Sequence, residues 1–469
     1  MKRRSWVILG LVIVALLGLL FLNINIFIPS KPRELEVFET TLDNGLKVLL
    51  LEERKAPVLT FHVWYRVGSR NEQPERTGLA HFMEHMMFKG TPQMGAQAFS
   101  QVIRRNGGRD NAFTSQDYTG YFVTLAADRV HLPLEMEPDR MVNLLLGPDE
   151  VERERNVVME ERRLRTEDDP TSSLWEKAQA AAYTTHPYRN PVIGWMEDIR
   201  KLSREDLQAF YKTYYAPNNA VVVVVGDFKR AELLPRIQKA FGAIPRGPDA
   251  PAVRSVEPPQ TGERRVTLTR EDAKLPFTMA VYHVPTLTDP DSYPLEVLEV
   301  ILAGGKSARL HRSLVYEKQL ALSAGAYYAR VSADPEVFSV YASALPGKRA
   351  EELEQALYAE IERLKTELVS PRELDKAKNQ IEASFIFSQD SIFSLARQLA
   401  SYEIVAGWRH WKAYVPGIRA VIAADVQRVA KKYFTAENRT AGVLVPGRAA
   451  TGGEQPATGT QPKTEGVSP

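Results

Sequence analysis

An internal repeat constrains the fold of this chain more than any other feature of its sequence. When the sequence is shifted by 219 residues, five identities fall within 14 ungapped positions. The identical pairs are Asp206 with Asp425, Gln208 with Gln427, Lys212 with Lys431, Tyr214 with Tyr433, and Asn219 with Asn438. In each copy a helical pattern ends in an aromatic pair, and a turn with an Asn and an apolar strand follow. This density of identities favours duplication of one ancestral unit over chance similarity.

The repeat predicts an α+β chain of two homologous domains, each with helices packed on a mixed or antiparallel sheet. The first domain is predicted to span residues 35–244 and the second residues 263–447. Residues 245–262 lie between them and are rich in Pro and poor in large apolar residues, which indicates a linker. Residues 448–469 are mostly small or polar and are predicted to form a disordered tail.

Residues 1–28 predict a transmembrane segment in front of the first domain. Three basic residues come early, and Trp6–Ile28 then forms an uncharged apolar run of 23 residues. As a helix, this run is roughly 34 Å long, enough to cross a hydrocarbon core of about 30 Å. The basic residues predict an anchor in a bacterial inner membrane with the body on the periplasmic side. The alternative is a cleaved signal peptide that leaves the body in the periplasm, although no small-residue cleavage site follows the run.

The composition excludes several kinds of site. The 469 residues include no cysteine, which excludes disulfides, thiolate metal sites and cysteine nucleophiles. The formal net charge is +2, so no strong basic field favours nucleic acid as a partner. Any metal ion must therefore be held by His, Asp or Glu.

The segment from His81 to His85 reads His-Phe-Met-Glu-His and predicts a metal site on a buried helix. The two histidines are four residues apart, so a helix presents both imidazoles on one face, which Glu84 shares. Zinc hydrolysis requires such a set: neutral nitrogen ligands and a carboxylate that takes a proton from the activated water. The alternative is two structural histidines in a core helix. Three ionisable groups on one buried face are costly, however, unless a cation compensates them.

A third protein ligand is expected, because a catalytic zinc usually has three and keeps one position open. The helical pattern from Glu154 to Glu161 offers one. Positions 154, 157, 158 and 161 share a face, and Val157 and Val158 predict that this face points inward. Both Glu154 and Glu161 would then point inward, whereas Glu160 is turned about 100° away. The alternative is a solvated charged helix, and the spacing alone leaves both interpretations open.

These motifs together resemble the pitrilysin/insulinase family of zinc peptidases, which carries the inverted His-x-x-Glu-His motif. The resemblance rests on that motif and on a Glu 76 residues after His85, within Glu-Arg-Asn-Val-Val-Met-Glu-Glu. It extends to the segments 106–114 and 215–227 and covers nearly everything from Phe38 to Val445. Within the family, the sequence is similar to bacterial relatives of the mitochondrial processing peptidase.

The resemblance implies a zinc metalloendopeptidase that hydrolyses peptides or unfolded segments and holds one Zn²⁺ per chain. It implies His81, His85 and Glu161 as metal ligands. It also implies two catalytic residues, Glu84 as the general base that activates water and Glu154 as a second acidic residue that supports the site. The alternative is a non-catalytic assembly or peptide-binding subunit of the same family.

The resemblance also implies a partner chain. Four such domains form the family's chamber, whereas one chain supplies two, and members of this length pair two chains. The second half departs from the family where a substrate-holding Arg and Tyr are usual, because Glu317–Ser323 reads Glu-Lys-Gln-Leu-Ala-Leu-Ser. We therefore expect a dimer, for which a metal-free homologous chain is one candidate partner.

Asn111, Ala112 and Phe113 are the expected substrate-binding residues, in a segment that resembles the family's substrate-side strand. An exposed strand edge beside the zinc can pair with an extended peptide through backbone hydrogen bonds. The alternative is an internal strand of the sheet, and the sequence does not separate the two.

Overall fold

The structure, a computed structural model, describes residues 35–447 of the chain. By compactness the chain divides into two units, Met1–Val37 and Phe38–Pro469. The helices and strands named below all belong to the second unit. The predicted tail at residues 448–469 lies outside the described residues.

The first half of the second unit contains a six-stranded sheet. Its strands are β1 (Phe38–Thr41), β2 (Lys47–Glu52), β3 (Val58–Tyr65), β4 (Arg109–Thr114), β5 (Thr119–Ala126) and β6 (Ala220–Gly226). They lie in the order β1-β2-β6-β3-β5-β4, and every pair is antiparallel except β2 with β6. Among the described strands, β4 pairs with β5 alone, so β4 is an edge strand.

The second half contains a sheet with the same topology. Its strands are β7 (Arg264–Arg270), β8 (Phe277–Val284), β9 (Ala321–Tyr328), β10 (Glu336–Ala344) and β11 (Arg439–Pro446). The order is β7-β11-β8-β10-β9, with β7 and β11 parallel and the other pairs antiparallel. This repeats the pairing of β2-β6-β3-β5-β4, so the predicted duplication of α+β halves is confirmed.

Helices pack on both sheets. In the first half they are α1 (Leu79–Met86), α2 (Ala98–Arg105), α3 (His131–Val142), α4 (Pro148–Arg162), α5 (Pro170–Ala182), α6 (Met196–Lys201), α7 (Arg204–Tyr214) and α8 (Arg230–Phe241). In the second half they are α9 (Ser292–Ala303), α10 (Ala350–Thr366), α11 (Pro371–Ser388), α12 (Ile392–Val405), α13 (Tyr414–Ala420) and α14 (Ala423–Tyr433).

One repeated contact explains part of the sequence repeat. After α7, the Nδ2 group of Asn219 donates to the carbonyl oxygen of Tyr214 at 2.9 Å. After α14, the Nδ2 group of Asn438 donates to the carbonyl oxygen of Tyr433 at 2.7 Å. In both halves the Asn satisfies a carbonyl at the end of the helix and so sets the turn into the following strand.

The two halves exchange helices. From the first half, α5 packs on the second sheet, where Leu174 and Ala178 join the buried cluster that includes Met279. From the second half, α12 packs on β3 and β6, and the ring of Phe393 lies 5.4 Å from that of His62. Each half therefore covers one face of the other's sheet. Because helices of its own half cover the other face, the central strand β6 is enclosed on both sides, and its run of five valines is fully buried.

The segment between the halves is held in place. Residues 245–262 contain no helix or strand, as expected for a linker. The carboxylate of Glu257 nevertheless accepts backbone N–H groups of Thr184, Thr185 and His186 at 2.7, 2.9 and 3.0 Å. The domain limits predicted from the sequence, 35–244 and 263–447, stay predictions.

The fold class predicted from the sequence needs one correction. Within residues 35–447 no helix is long and apolar enough to cross a membrane. The longest described helix, α11, has 18 residues, and its first half carries charged side chains, which an apolar layer of about 30 Å would not accept. Residues 1–28, where the transmembrane segment was predicted, lie outside the described residues. For the residues that the structure describes, the fold class is α+β with two sheets, and the predicted N-terminal transmembrane segment is not supported.

Candidate metal centre

Helix α1 buries its apolar side chains and turns its ionisable ones toward a cleft. Its buried residues are Leu79, Ala80, Phe82, Met83 and Met86. The side chains of His81, Glu84 and His85 remain partly exposed on one face. The three side chains therefore share one face of α1, as their spacing predicted, and all three line the same cleft.

A buried carboxylate fixes the start of α1. Glu72 accepts the backbone N–H groups of Gly78 and Ala80 at 2.8 and 2.7 Å, which satisfies two donors that the first turn leaves free. Gly78 has a φ of 91°, and a Cβ there would lie 2.7 Å from the carbonyl oxygen of Ile193. Burial raises the pKa of Glu72 to about 8, although the two N–H groups oppose that shift. Glu72 and Gly78 thus hold the helix that carries the histidines.

Helix α4 carries the two acidic candidates across from α1. Glu154 is buried, and the carboxylate of Glu161 faces the histidines of α1. Glu160 turns away, with 62% of its side chain exposed and an ion pair to Arg163. The expectation that Val157 and Val158 both point inward is wrong for Val157, which is 49% exposed and lines the cleft, whereas Val158 is buried.

His81, His85 and Glu161 come together as a possible ligand set. The Oε2 atom of Glu161 lies 3.3 Å from Nε2 of His85 and 3.8 Å from Nε2 of His81. One ligand atom from each residue lies within 4.8 Å of the others. Ligand bonds of about 2 Å span such separations, so one small cation fits between these atoms.

The pKa values of the two histidines are shifted in opposite directions. Burial lowers the pKa of His81 to about 3, and the charges of His85 and Arg165 act in the same direction. The Nδ1 atom of His81 is buried without a hydrogen-bond partner. Burial alone would lower the pKa of His85, but the hydrogen bond to Glu154 and the nearby carboxylates raise it. Two imidazoles and a carboxylate form a donor set that zinc accepts.

Glu154 contacts the ring nitrogen of His85 that does not face Glu161. Its Oε1 atom lies 2.8 Å from Nδ1 of His85, and its Oε2 atom forms an ion pair with Lys89. Burial opposes ionisation of Glu154, but the hydrogen bonds from His85 and Lys89 outweigh it and lower the pKa. The Nδ1 hydrogen bond leaves Nε2 of His85 to face Glu161. A carboxylate in this position fixes the tautomer and the ring orientation of a ligating His.

Glu84 is oriented from the edge strand. The Oγ1 atom of Thr114 donates to Oε2 of Glu84 at 2.6 Å. Burial raises the pKa of Glu84, whereas the Thr114 hydroxyl and the charge of His85 lower it. The hydroxyl therefore ties the carboxylate to β4, the strand that carries the predicted substrate-binding residues.

The cleft beside these side chains has a volume of about 1080 Å³ and runs between β4 and α4. Asn111, Ala112 and Phe113 line it together with the histidines. Since β4 is an edge strand, the alternative of an internal strand does not hold for these residues. The far wall includes apolar side chains that are exposed to the cleft, among them Val157 and Leu164.

Three residues of the site were missed by sequence reasoning: Glu72, Lys89 and Thr114. Lys89 is four residues after His85, so helical spacing could have suggested it. Thr114 belongs to the segment that resembled the substrate strand, but no spacing rule predicts that its hydroxyl reaches the carboxylate of Glu84 on another element. Glu72 lies nine residues before the motif, in a loop, where the sequence carries no signal for capping.

Comparison with known proteins places the chain in a family. The model described as "Insulinase (Peptidase family M16)" matches residues 47–195, and the model described as "Peptidase M16 inactive domain" matches residues 201–381. The zinc protease PqqE of Helicobacter pylori is 34% identical over 410 residues, which cover 87% of this chain and 92% of the relative. The chain belongs to the M16 peptidase family.

Other M16 proteins agree with this assignment. A probable mitochondrial-processing peptidase subunit beta of Arabidopsis thaliana is 29% identical over 407 residues, 84% of this chain and 76% of the relative. The crystal structure of a protease from Helicobacter pylori has a TM-score of 0.85 at 33% identity and covers 88% of this chain and 100% of that one. The family predicted from the sequence and its similarity to the processing peptidase are confirmed.

A longer protein shares the fold. The crystal structure of the periplasmic protease PqqL from Escherichia coli has a TM-score of 0.72 at 19% identity, covering 89% of this chain and 48% of PqqL. This M16 chain therefore spans about half the length of PqqL. By family, the chain is related to zinc metallopeptidases, and the inactive-domain model matches the end of its first half and part of its second half, up to residue 381.

Proposed function

We propose that this M16 chain is a zinc-dependent metalloendopeptidase that hydrolyses peptide bonds in peptides or unfolded segments. The observation that carries the proposal is the set of His81, His85 and Glu161, with one ligand atom each within 4.8 Å of the others, in the same cleft as Glu84. An edge strand beside this set offers a place for an extended peptide. The relatives named as zinc proteases support the same chemistry.

The metal would be held by Nε2 of His81, Nε2 of His85 and Oε2 of Glu161. This assignment is supported by the donor types and by their separations. When bound, zinc polarises a carbonyl group and lowers the pKa of water, which makes attack on an amide feasible at neutral pH. The protein's own contribution is to keep His81 neutral by burial and to orient the ring of His85 through Glu154.

Glu84 would act as the general base. With Oε2 held by the Thr114 hydroxyl at 2.6 Å, the carboxylate is oriented so that Oε1 can take a proton from the attacking water. The same atom can then deliver the proton to the leaving amine. A partly buried carboxylate with a raised pKa suits both steps, because it accepts a proton more readily than an exposed Glu does.

The peptide would bind as an added strand on β4, next to Asn111, Ala112 and Phe113. Backbone groups on the open edge pair with an extended chain of any sequence, which suits unfolded substrates. This binding places a peptide along the cleft and within reach of Glu84, because Thr114 of the same strand contacts Glu84.

We propose that the chain works as a dimer, with a metal-free homologous chain as a candidate partner. One relative is itself called a subunit, and PqqL is about twice as long as this chain. In the second half, Gln319 and Leu322 stand where the family resemblance leads us to expect Arg and Tyr, and Leu322 is 58% exposed. A partner chain would supply the substrate-holding Arg and Tyr that this stretch lacks. We also propose a periplasmic location, which the N-terminal sequence and the description of PqqL support.

A second candidate function is a non-catalytic assembly or peptide-binding subunit. The observation that favours it is the match of residues 201–381 to the inactive-domain model. The complete set of His81, Glu84, His85 and Glu161 favours the peptidase instead, because an inactive subunit has no need of both ligands and a base.

Chelation should separate the two functions. The purified full-length chain is expected to contain about one zinc per chain and to cleave quenched fluorogenic peptides, alone or mixed with a metal-free homologue. Treatment with 1,10-phenanthroline should abolish cleavage, and added zinc should restore it. Stoichiometric zinc without chelator-sensitive cleavage, in the presence and absence of the homologue, would support the non-catalytic subunit.

Glu154 is proposed as a positioning residue, although sequence reasoning grouped it with the catalytic ones. Its carboxylate contacts His85 and Lys89 rather than the cleft. Replacing Glu154 by Gln should weaken zinc binding about 10- to 100-fold, because the His85 ring loses its charged partner. Competition with a chromophoric chelator measures this affinity. Glu152→Gln on the exposed side of α4 is the matched control and should leave it unchanged. Equal affinities in both variants would contradict the positioning role.

A further inference from the structure

Arg397 lies beside the edge strand, on the side opposite the candidate metal centre. It belongs to α12, the second-half helix that packs on the first sheet, and it is exposed. Its guanidinium carbon lies 5.6 Å from the centre of the Phe113 ring on β4. Phe113 also packs against Trp64, at 5.0 Å between ring centres. The second half of the chain therefore places a cation next to the strand proposed to bind peptide.

Within residues 35–447 no carboxylate forms a salt bridge with Arg397. Its charge acts on the titratable groups of His62, Tyr118 and Tyr327. Burial and then Arg397 lower the pKa of His62 to about 3, and burial raises the pKa values of both tyrosines. All three are therefore uncharged at neutral pH, and none of them compensates the guanidinium.

The charge of the same cation also acts on a residue of a second edge strand. Tyr327 belongs to β9, which ends the second sheet and pairs with β10 alone among the described strands, and the charge of Arg397 opposes the rise in its pKa. The Tyr327 side chain is 59% exposed. The ring that the guanidinium contacts is that of Phe113 on β4. An exposed guanidinium beside one aromatic ring keeps N–H groups free for a carboxylate.

An added strand would present side chains to this cation. Side chains of a strand alternate between the two faces of a sheet. On β4, Thr114 points to the face that carries Glu84, whereas Phe113 points to the face of Trp64 and Arg397. Every second side chain of a peptide paired with β4 would therefore face Arg397, within about three residues, or roughly 10 Å, of the bond beside Glu84.

We propose that Arg397, beside Phe113, forms a subsite that selects a carboxylate in the bound peptide. The proposal rests on the proposed function only in that the peptide pairs with β4. An Asp or Glu side chain is the expected ligand, because an internal segment carries no terminal carboxylate. Backbone pairing with β4 does not depend on the sequence of the peptide, so Arg397 would set the substrate preference of the site.

The test uses paired peptides that differ at one position. A set of fluorescent peptides carries Glu, Gln or Lys in turn at each of the three positions on either side of the cleaved bond. Binding is measured by anisotropy in the full-length Glu84→Gln variant, where the peptide stays intact, and kcat/KM is measured with the active chain. At one or two alternating positions Glu should be favoured over Gln by about five- to tenfold.

Arg397 variants should remove this preference. In Arg397→Gln the ratio of Glu to Gln peptide is expected to fall to about 1, and in Arg397→Glu the Lys peptide should be favoured. Arg372→Gln, an exposed arginine at the start of α11, is the matched control and should keep the wild-type ratio. Melting temperature and zinc content confirm that each variant is folded and loaded.

The outcomes distinguish the subsite from the peptidase. An unchanged Glu preference in Arg397→Gln, or an equal loss in Arg372→Gln, would overturn the subsite. Absence of cleavage by the wild-type chain both with and without the metal-free homologue, with Arg397-dependent binding retained, would overturn the proposed function and leave the subsite standing. A preference confined to peptides with a free C-terminal carboxylate, and lost on amidation, would support the subsite and identify the chain terminus as its ligand.

Discussion

Replacing Glu84 by Gln should lower kcat/KM for peptide cleavage by a factor of about 10² to 10⁴ while the zinc content stays near one per chain. The amide oxygen of Gln can still accept the hydrogen bond of the Thr114 hydroxyl, so the local geometry is kept. It cannot take a proton from water, however, and the step that needs a base is lost. Metal analysis and a fluorogenic peptide assay on the same preparation measure both quantities.

The control for this variant lies on α4. Glu160→Gln removes a carboxylate that lines the same cleft but is turned toward Arg163 and solvent, so it should cost little activity. If Glu84→Gln cleaves peptides at the wild-type rate, Glu84 is not the general base. If both variants lose activity equally, the effect comes from the charge of the cleft rather than from proton transfer.

Replacing Glu161 by Gln should weaken zinc binding by a factor of about 100 or more, because the variant removes an anionic ligand rather than its support. The Oε2 atom of Glu161 lies 3.3 Å from Nε2 of His85, whereas Glu160, one residue earlier, points away. Glu160→Gln should therefore bind zinc as the wild type does. Titration against a competing chelator gives both affinities.

The order of these affinities decides which carboxylate is the ligand. Equal zinc affinity in the two variants, or weaker binding by Glu160→Gln, would show that α4 presents a different face from the one described. The thermal stability of the metal-free proteins serves as the control, since Glu161 also forms an ion pair with Arg165 at 2.8 Å. Loss of that partly exposed pair should cost at most about 1 kcal/mol.

Much of the centre could be predicted from the sequence because its geometry is local. Two histidines four residues apart share a helical face whatever the helix packs against, and α1 presents His81 and His85 in that way. The same rule separated Glu161 from Glu160 on α4. The duplication could also be predicted from the sequence. Asn219 and Asn438 make the same contact in the two halves, and this shared contact explains why both positions carry the same residue type.

Helical spacing failed where a side chain faces a cavity rather than a core. Val157 was expected to be buried because it is apolar and shares a face with Val158, yet it is 49% exposed and lines the cleft. A cleft is a gap between elements distant in sequence, and periodicity within one helix does not reveal it. The role of Thr114 was missed for the same reason, since its hydroxyl reaches Glu84 on another element.

Residue type and short-range spacing were enough to predict the two α+β halves, the helix that carries both histidines, and the different directions of Glu161 and Glu160. The three-dimensional fold was needed to show that β4 is an edge strand, that Glu154 contacts His85, and that α12 brings Arg397 from the second half to Phe113 in the first. Strand order and helix exchange depend on contacts between residues up to several hundred positions apart. The free energy of those contacts comes from burial of whole faces of sheets and helices, and it cannot be predicted from any short segment of the sequence.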